Sequence, residues 1–558
     1  MVTDYKALKG DPSDNIIGVP GIGDKTAKEL IINFGHIENL YKKIKKDKRE
    51  LEKKNIKPRI IKILEENEEE AEFSKSLAEI NKTVPVKFSL EESALKKDFD
   101  IEKIKQIFLE FGFKSLFERL DFNVPKGEPI KTPKELFEKF RGEVPEKFFY
   151  EIELPLSKIL SEMQERGILI DIKYLNKLSE EHHEKLKNLE KKIWSLAGEE
   201  FNISSPQQLG KIIFEKLKLN NKKTKKTSTG AYSTNISELA KLKSQHPIIN
   251  EIIFHRELSK LVSTYIDTLP GLADKGGRIH TTFNQAGTST GRISSQNPNL
   301  QNIPVRTALG KDVRRAFIAD KGFKLVAFDY SQIELRVAAI LSKDKKLGEV
   351  FQKDEDVHSA VAREVFNVSP DKVTEEMRRR AKIINFGIIY GMGINALSRN
   401  LGCAREEAQI FYDEYFNDFS GVADYIEHVK NFARERGYTE TLFGRKRFFP
   451  EINSRFDYVR KEAERMAVNA PIQGTAADFI KMAMVRADKI LGEKKIKDRA
   501  FLLLQIHDEL LYEIEEKTLN EAVPIIKEAM EGVYKNEVPL KVKILTGENW
   551  RDMVEFKI

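Results

Sequence analysis

The stretch Phe501-Leu-Leu-Leu-Gln-Ile506, followed by His507-Asp508-Glu509 and Leu510-Leu-Tyr-Glu-Ile514, consists of two apolar runs around a short polar segment. Two such runs predict a β-hairpin with the polar residues at its tip. A further apolar run, Lys324-Leu-Val-Ala-Phe-Asp-Tyr330, predicts another strand and places Asp329 at its end. We therefore expect a sheet in the C-terminal half of the chain, with carboxylates at the ends of its strands.

Much of the remaining chain has apolar residues at helical spacing, notably 150–218, 236–269 and 345–490. Residues 121–147 contain four prolines and few periodic apolar positions, which indicates a linker with at most one short helix. Residues 220–235 are rich in lysine, serine and threonine. That composition leaves two interpretations open: a flexible basic loop, or a clamp on the backbone of a polyanion.

Length and composition narrow the class of protein. A chain of 558 residues is too long for one ordinary core, so we expect several domains. No apolar run approaches the ~20 residues that span a bilayer, and the N-terminus lacks the layout of a signal peptide. Cys403 is the single cysteine, which excludes an intrachain disulfide and fits a reducing cytoplasm. The net charge of +7 is compatible with nucleic-acid binding without establishing it.

The acidic residues at the predicted strand ends are candidates for a metal site. Asp329 precedes Ser331-Gln-Ile-Glu334, which has the pattern of a helix capping box, so it could equally be an ordinary acid near a helix terminus. Asp508 and Glu509 could equally belong to a solvent-exposed turn. Together these carboxylates suit two Mg²⁺ ions about 3.5–4 Å apart, the arrangement used for in-line phosphoryl transfer. No Cys/His cluster has zinc-ligand spacing, and no Walker-type phosphate loop is present.

A predicted helix between the strands carries four residues at steps of four: Arg378, Lys382, Phe386 and Tyr390. Residues at this spacing share one stripe of an α-helix, so two cations are followed by two aromatic rings. Cations suit a triphosphate, and rings suit a base. The alternative is a helix whose rings are core and whose cations are solvated. The continuity of the stripe favours the ligand interpretation.

At this point the chain resembles the family A DNA polymerases. Three of its motifs match the family's three signature motifs: DYSQIELR at 329–336, RRRAKIINFGIIYG at 378–391 and IHDEL at 506–510. Three further blocks match as well: TGRISSQNPNLQNIPVR at 290–306, ERMAVNAPIQGTAAD at 464–478 and GENW at 547–550. The resemblance implies a multidomain α+β protein with a right-hand polymerase domain at 149–558. Its parts would be the helical thumb at about 150–280, the palm with an antiparallel sheet at about 281–345 and 469–558, and the helical fingers at about 346–468.

The resemblance also implies roles for individual residues. Asp329, Asp508 and the Tyr330 carbonyl would hold two Mg²⁺ ions, for which Mn²⁺ could substitute, and Glu509 would assist catalysis. Glu334 would act as a steric gate against the ribose 2′-hydroxyl, and Phe386 implies discrimination against dideoxynucleotides. The implied nucleotide-binding residues are Arg378, Lys382, His358, Phe386, Tyr390, Gln332 and Glu334. The implied contacts to primer–template DNA are Arg292, Gln301, Asn302, Arg465, Asn469, Gln473 and His507.

The N-terminal 120 residues resemble something else. GDPSDNIIGVPGIGDKTAKELIINFG at 10–35 is similar to the late part of the 5′-nuclease domain of DNA polymerase I, with Gly21 and Gly23 in the hairpin of a helix-hairpin-helix. Asp11 and Asp14 match two of that domain's metal-binding acids. The similarity begins far into the domain, so we expect these two acids to be vestigial and the nuclease inactive. The linker at 121–148 stands where the family has a 3′–5′ exonuclease-like domain, which predicts no proofreading.

The sequence therefore predicts a DNA-directed DNA polymerase that extends a primer 5′→3′ with dNTPs in replication and repair. We expect a monomer in the cytoplasm, associated with the nucleoid. One alternative is a non-catalytic remnant that binds gapped or flapped DNA, against which the presence of Asp329, Arg378, Lys382 and Asp508 argues. Another is a polymerase specialised for RNA templates or lesion bypass, and no residue decides that question.

Overall fold

A computed structural model of the chain describes residues 1–11, 16–54, 56–80, 133–219, 232–304 and 307–557. Asp14, most of the basic 220–235 stretch and the nuclease-like similarity beyond residue 80 lie outside the described residues. The chain forms two compact units, one from 1–124 and 188–256, the other from 125–187 and 257–558. None of the described helices is long and apolar enough to cross a membrane.

The first unit contains two separate helical cores. In its N-terminal part, buried Leu8, Leu30 and Leu64 share one apolar core. The helices that build this core are Val2–Lys9, Asp24–Phe34, Ile37–Lys46, Arg49–Lys53, Pro58–Glu66 and Glu68–Ala78. The other core, around Ile193 and Ile252, belongs to residues of 188–256. Its helices are the end of Ile172–Ala197, Pro206–Gly210, the π-helix Lys211–Lys216, Ile236–Ala240 and most of Ile248–Leu261.

The second unit is organised around a five-stranded antiparallel sheet. Its strands are β1 (Phe323–Tyr330), β2 (Ala500–Ile506), β3 (Glu509–Glu515), β4 (Val542–Gly547) and β5 (Val554–Glu555). Their order across the sheet is β5-β4-β1-β3-β2, so the strand that ends in Asp329 lies in the centre. The side chains of Leu325, Val326, Ala327 and Phe328 are all buried, because both faces of β1 are covered.

The predicted hairpin is confirmed as β2 and β3, with one correction at its tip. The turn contains two residues, His507 and Asp508, and His507 has a left-handed φ of 54°. Glu509 is the first residue of β3 instead of part of the tip, because it pairs with Ile506 and with Asp329. Strand pairing thus fixes the backbone of Glu509 beside Asp329.

Helices cover most of the second unit, as predicted for 345–490 and for the part of 150–218 that belongs to this unit. The longest, Asp457–Glu493, buries Phe479, Ile480 and Met484 and continues through Pro471. The other helices are Pro133–Phe140, Glu146–Phe148, the π-helix Phe149–Glu153, Leu154–Arg166, the first part of Ile172–Ala197, the π-helix Val262–Ile266, Leu269–Leu272, Ala308–Arg315, Ile333–Ser342, Lys345–Gln352, Val357–Val365, Glu375–Ile389, Ile394–Leu401, Arg405–Asp418, Ser420–Arg436 and Leu519–Glu531. Three two-stranded pairs complete it: Ile168–Leu169 with Arg278–Ile279, Thr282–Asn284 with Ser294–Gln296, and Tyr438–Glu440 with Lys446–Phe448.

Residues 133–148, at the end of the predicted linker, are folded. Leu136, Phe140 and Val144 are buried in an aromatic cluster with Phe148 and Phe149. This cluster packs against Phe443 and Met482, which belong to the second unit. Leu136 and Phe140 lie four residues apart on the helix Pro133–Phe140, so they share one face that packs into this cluster.

Candidate active site

Three acidic residues lie at the same end of neighbouring strands in the five-stranded sheet. In the strand register, Asp329 lies opposite Glu509 on one side and opposite Lys543 of β4 on the other. The backbone N–H of Tyr330 donates to the carbonyl oxygen of Asp508 at 3.1 Å, which ties the end of β1 to the turn between β2 and β3. Backbone pairing therefore brings together two acidic segments that lie far apart in the sequence.

The electrostatics of these acids favour a bound cation. Burial, together with the neighbouring Asp508 and Glu509 carboxylates, raises the pKa of Asp329 to about 8, although Lys543 opposes the shift. Burial also raises the pKa of Asp508 and the pKa of Glu509. Carboxylates whose pKa is raised by burial and by one another are stabilised in their charged form when a cation is added. Carboxylate and carbonyl oxygens are the ligands that Mg²⁺ and Mn²⁺ prefer, so this donor set fits divalent metal ions.

A cleft of about 360 Å³ opens beside Asp508. This volume lies within the range typical of sites for small ligands, about 300–1,000 Å³. Seven of the residues predicted from the sequence line it: Arg292, Gln332, Glu334, Phe386, Tyr390, His507 and Asp508. Residues from four separate sequence blocks thus converge on one cavity at the end of the sheet.

Glu334 is held between two partners in this cleft. Its carboxylate accepts hydrogen bonds from the Arg292 guanidinium and from the Tyr390 hydroxyl. The predicted capping box is wrong: the helix Ile333–Ser342 follows Gln332 in a left-handed conformation, with φ 53°, and no side chain caps it. Glu334 is therefore free of a capping role, and its position is set by residues distant in the sequence.

The predicted stripe of cations and rings lies on the helix Glu375–Ile389 and its C-cap Tyr390. Arg378 donates two hydrogen bonds to Asp356, at 3.0 and 2.8 Å, and Lys382 is exposed. The Phe386 and Tyr390 rings stack with centroids 6.0 Å apart. Of the described residues that line the cleft, only the two rings come from this stripe.

His358 packs beside the stripe. Its ring is almost fully buried, lies 5.7 Å from the Phe386 ring and contacts the Asn385 amide at 3.2 Å. Burial, with smaller contributions from Lys382 and Arg378, lowers the pKa of His358 to about 4. The imidazole is therefore uncharged at neutral pH.

The residues predicted to contact DNA lie partly on one long helix and partly in short turns. Arg465, Asn469 and Gln473 follow one another at steps of four along the helix Asp457–Glu493, so they share one face. The side-chain oxygen of Asn469 is buried without a hydrogen-bond partner in the protein. Gln301 instead donates to the carbonyl oxygens of Ile293 and Gln505, at 3.0 and 2.9 Å. Asn302 is exposed on the short 3₁₀ turn Leu300–Asn302, and His507 is exposed at the hairpin tip.

The N-terminal predictions concern the first unit. Gly21 has a φ of 95°, which favours glycine, and Gly23 is the N-cap of the helix Asp24–Phe34. Asp11 forms an ion pair with Lys6 at 2.8 Å. Gly21 thus lies in a turn and Gly23 at the start of a helix, whereas Asp11 already has a cationic partner.

Two groups of residues near the site were not predicted. Glu153 and Lys481, both fully buried, are joined at 2.7 Å, and Lys481 also lines the cleft. Trp550 donates its indole N–H to Glu509 at 3.1 Å. The available signal for Lys481 was a lysine placed in an otherwise apolar helical segment. The signal for Trp550 was its place in the GENW block, whose residues had no assigned role.

Comparisons with known proteins identify the family of the chain. DNA polymerase family A matches residues 172–552, and the family described as 5′–3′ exonuclease, C-terminal SAM fold, matches residues 1–100. The thermostable DNA polymerase I of Thermus thermophilus is 37% identical over 98% of this chain and 78% of its own length. DNA polymerase I of Bacillus subtilis is 35% identical over 99% of this chain and 80% of its own.

A solved structure gives the same result for the fold. The POL domain of Pol1 from M. smegmatis, in complex with DNA primer–template and dNTP, is 41% identical and has a TM-score of 0.70. The similarity covers 75% of this chain and 72% of that one. The predicted family and the predicted α+β fold are confirmed. The chain belongs to DNA polymerase family A, carries a fragment of a 5′–3′ exonuclease fold at its N-terminus, and catalyses template-directed DNA synthesis.

Proposed function

We propose that synthesis takes place at Asp329 and Asp508, beside the cleft that Asp508 lines. Asp329, Asp508 and the carbonyl of Tyr330 would hold two Mg²⁺ ions, or Mn²⁺ in their place, with Glu509 assisting. The observation that carries this proposal is the strand pairing, which sets Asp329 opposite Glu509 and ties the end of β1 to Asp508. Burial and these neighbouring carboxylates also raise the pKa of Asp329. When bound, such a pair of ions lowers the pKa of the attacking primer hydroxyl and stabilises the negative charge of the triphosphate.

We assign the incoming dNTP to the cleft and to the helix beside it. The exposed Lys382 and the guanidinium of Arg378 would contact the triphosphate, since phosphate oxygens accept strong hydrogen bonds from ammonium and guanidinium groups. The uncharged ring of His358 would donate an N–H hydrogen bond to the triphosphate. The stacked rings of Phe386 and Tyr390 would contact the sugar and base, with Gln332 at the cleft wall.

We assign Glu334 as the gate against ribonucleotides, because Arg292 and Tyr390 prevent its carboxylate from moving aside. Glu334→Ala should raise the ratio of ribonucleotide to deoxynucleotide incorporation about 10- to 100-fold, the range expected when a pocket is relieved of a small steric clash. Single-nucleotide incorporation kinetics measure that ratio. Glu334→Gln keeps the size of the side chain and is the matched control. An unchanged ratio in Glu334→Ala would remove Glu334 from the gate.

Primer–template DNA would run along the face that carries Arg465, Asn469 and Gln473, and past Arg292 and His507. The buried, unpartnered oxygen of Asn469 is suited to accept a hydrogen bond from a base edge. Gln301 would hold the segment around Ile293 against β2 through its two hydrogen bonds. Asn302 would contact DNA directly. The solved relative supports this assignment, since it is a complex with primer–template and dNTP.

We propose a polymerase domain that starts at 133 instead of 149, since the aromatic cluster of 133–149 is part of its core. The proposed thumb, palm and fingers keep the boundaries given above, after a nuclease-derived domain at 1–120. In that domain Gly21 and Gly23 would donate backbone N–H groups to a DNA phosphate, and Asp11 and Asp14 would be vestigial. We further propose that the enzyme acts as a monomer in the cytoplasm, at the nucleoid.

We expect DNA synthesis without proofreading and without 5′-nuclease activity. The alignment with the Thermus relative runs over 663 positions, whereas this chain has 558 residues, so the relative carries positions without a counterpart here. A single assay on a gapped template with a 5′ flap and a 3′-mismatched primer tests all three activities. We expect extension of matched primers, an intact flap and no removal of the mismatch.

Each contrary result in this assay has a distinct meaning. Binding of the gapped DNA without extension would support the non-catalytic remnant. Removal of the mismatched nucleotide would show that the enzyme proofreads. Cleavage of the flap would show that it has 5′-nuclease activity. A parallel RNA template, or one with a damaged base, that is copied as fast as DNA would favour a specialised polymerase.

A further inference from the structure

Trp550 occupies a tightly fixed position beside the acidic site. Its indole is almost fully buried, and its backbone N–H donates to the carbonyl oxygen of Phe317 at 2.9 Å. The Phe317 ring meets the indole edge-on with centroids 5.6 Å apart, and the Arg314 guanidinium lies over the indole at 3.8 Å. These contacts hold the indole in an orientation in which its N–H donates to the Oε1 oxygen of Glu509.

Glu509 has neighbours of both charges. Near it stand the Trp550 N–H and the cationic Arg314, which is buried and within electrostatic reach of Glu509. The other two acidic residues are also near in the fold: Asp329 lies opposite Glu509 in the strand register, and Asp508 is adjacent in the chain. In the described part of the chain, no set of three oxygens, one from each of these carboxylates, lies within 4.8 Å of one another. The Trp550 N–H and the Arg314 charge thus both favour a Glu509 carboxylate that stays beside the indole.

We infer that Trp550 is a positioning residue that keeps Glu509 out of direct metal coordination and leaves Asp329 and Asp508 as the metal-binding pair. This inference rests on the metal site proposed above. The affinity of a carboxylate site for a divalent ion rises with the number of charged ligands. A third direct carboxylate would therefore tighten the ions in a site that has to accept a nucleotide in every cycle.

Binding of Mn²⁺ to the full chain, without DNA or nucleotide, tests the inference through the electron paramagnetic resonance signal of free Mn²⁺. Trp550→Phe keeps an aromatic ring but removes the N–H, and it should bind Mn²⁺ about tenfold more tightly, the effect of releasing one charged hydrogen-bond acceptor. Trp550→Phe/Glu509→Gln should lose that gain. Unchanged affinity in Trp550→Phe, or a gain that survives Glu509→Gln, would overturn the role of Trp550.

The variant Asp329→Asn separates the two proposals. It should weaken Mn²⁺ binding whatever Trp550 does, and if it does not, the metal site itself is misplaced. If Asp329→Asn weakens binding and Trp550→Phe has no effect, only the inference about Trp550 fails.

Tryptophan fluorescence tests the same contact in a chain that keeps Trp550 and all three carboxylates. The chain has two tryptophans, Trp194 and Trp550, so Trp194→Phe makes Trp550 the only indole that emits. If Glu509 stays on Trp550, saturating Mg²⁺ should leave the emission maximum unchanged, whereas Glu509→Ala should shift it without metal. A Mg²⁺-induced shift equal to that of Glu509→Ala would mean that Glu509 leaves Trp550 for the ion, which contradicts the inference.

Discussion

Asp329→Asn should reduce the rate of primer extension roughly 10³-fold, because it removes one of two charged metal ligands and each 1.4 kcal/mol of lost transition-state stabilisation is about tenfold in rate. Single-turnover extension with saturating dNTP measures the loss. Asp498→Asn is the matched control, since Asp498 belongs to the same unit and its side chain is 81% exposed. Full extension in Asp329→Asn would refute the metal site.

The same variant should be more stable than the wild type without metal. A carboxyl whose pKa is raised on folding stabilises the fold only below its unfolded pKa, and that stability is lost as pH rises towards the folded pKa. With a folded pKa of about 8 for Asp329, the wild type carries this cost at pH 7 and the Asn variant does not. Thermal unfolding in EDTA should show a higher midpoint for Asp329→Asn, and Mg²⁺ should narrow the difference.

Glu153→Gln should cost about 3–5 kcal/mol of folding free energy, the range for removing one partner of a buried ion pair. Glu153 is fully buried and accepts hydrogen bonds from the Arg445 guanidinium, from Lys481 at 2.7 Å and from Gln285 at 2.8 Å. Arg445 also donates to buried Asp478 at 2.8 Å. The cluster thus balances two anions against two cations, and the variant leaves an unmatched positive charge in the core.

The loss should depend on pH in a defined direction. Burial, with the neighbouring Arg445, lowers the pKa of Lys481 to about 8. At pH 9 Lys481 is largely neutral in the folded protein, so Arg445 and Asp478 remain balanced when Glu153 loses its charge. The urea midpoint difference between wild type and Glu153→Gln should therefore be smaller at pH 9 than at pH 7. Glu151→Gln, exposed in the same π-helix, is the control, and an equal loss in both variants would contradict a role for the buried cluster.

A feature of the site can be predicted from the sequence when the residues that determine it are close together along the chain. The strands around Asp329 and Asp508 were predictable, because a local run of apolar residues determines each one. The ring-and-cation stripe was predictable for the same reason, since helical spacing is local. The capping box failed because Glu334 has two partners from other elements, Arg292 and Tyr390, and a four-residue pattern contains no information about them.

The buried charges could not be found from spacing at all. Glu153 and Lys481 meet across 328 positions of sequence, and either residue alone resembles a solvated charge on a helix. The contact of Trp550 with Glu509 likewise depends on how the C-terminal segment packs beside β3. Long-range pairs of this kind are set by tertiary packing, which a single sequence does not display.

The aromatic cluster of residues 133–149 also sets how far the polymerase part of the chain can be trimmed. Its side chains pack against Phe443 and Met482 of the same unit. A chain shortened to begin at residue 149 would therefore expose an apolar surface on the unit that contains the five-stranded sheet.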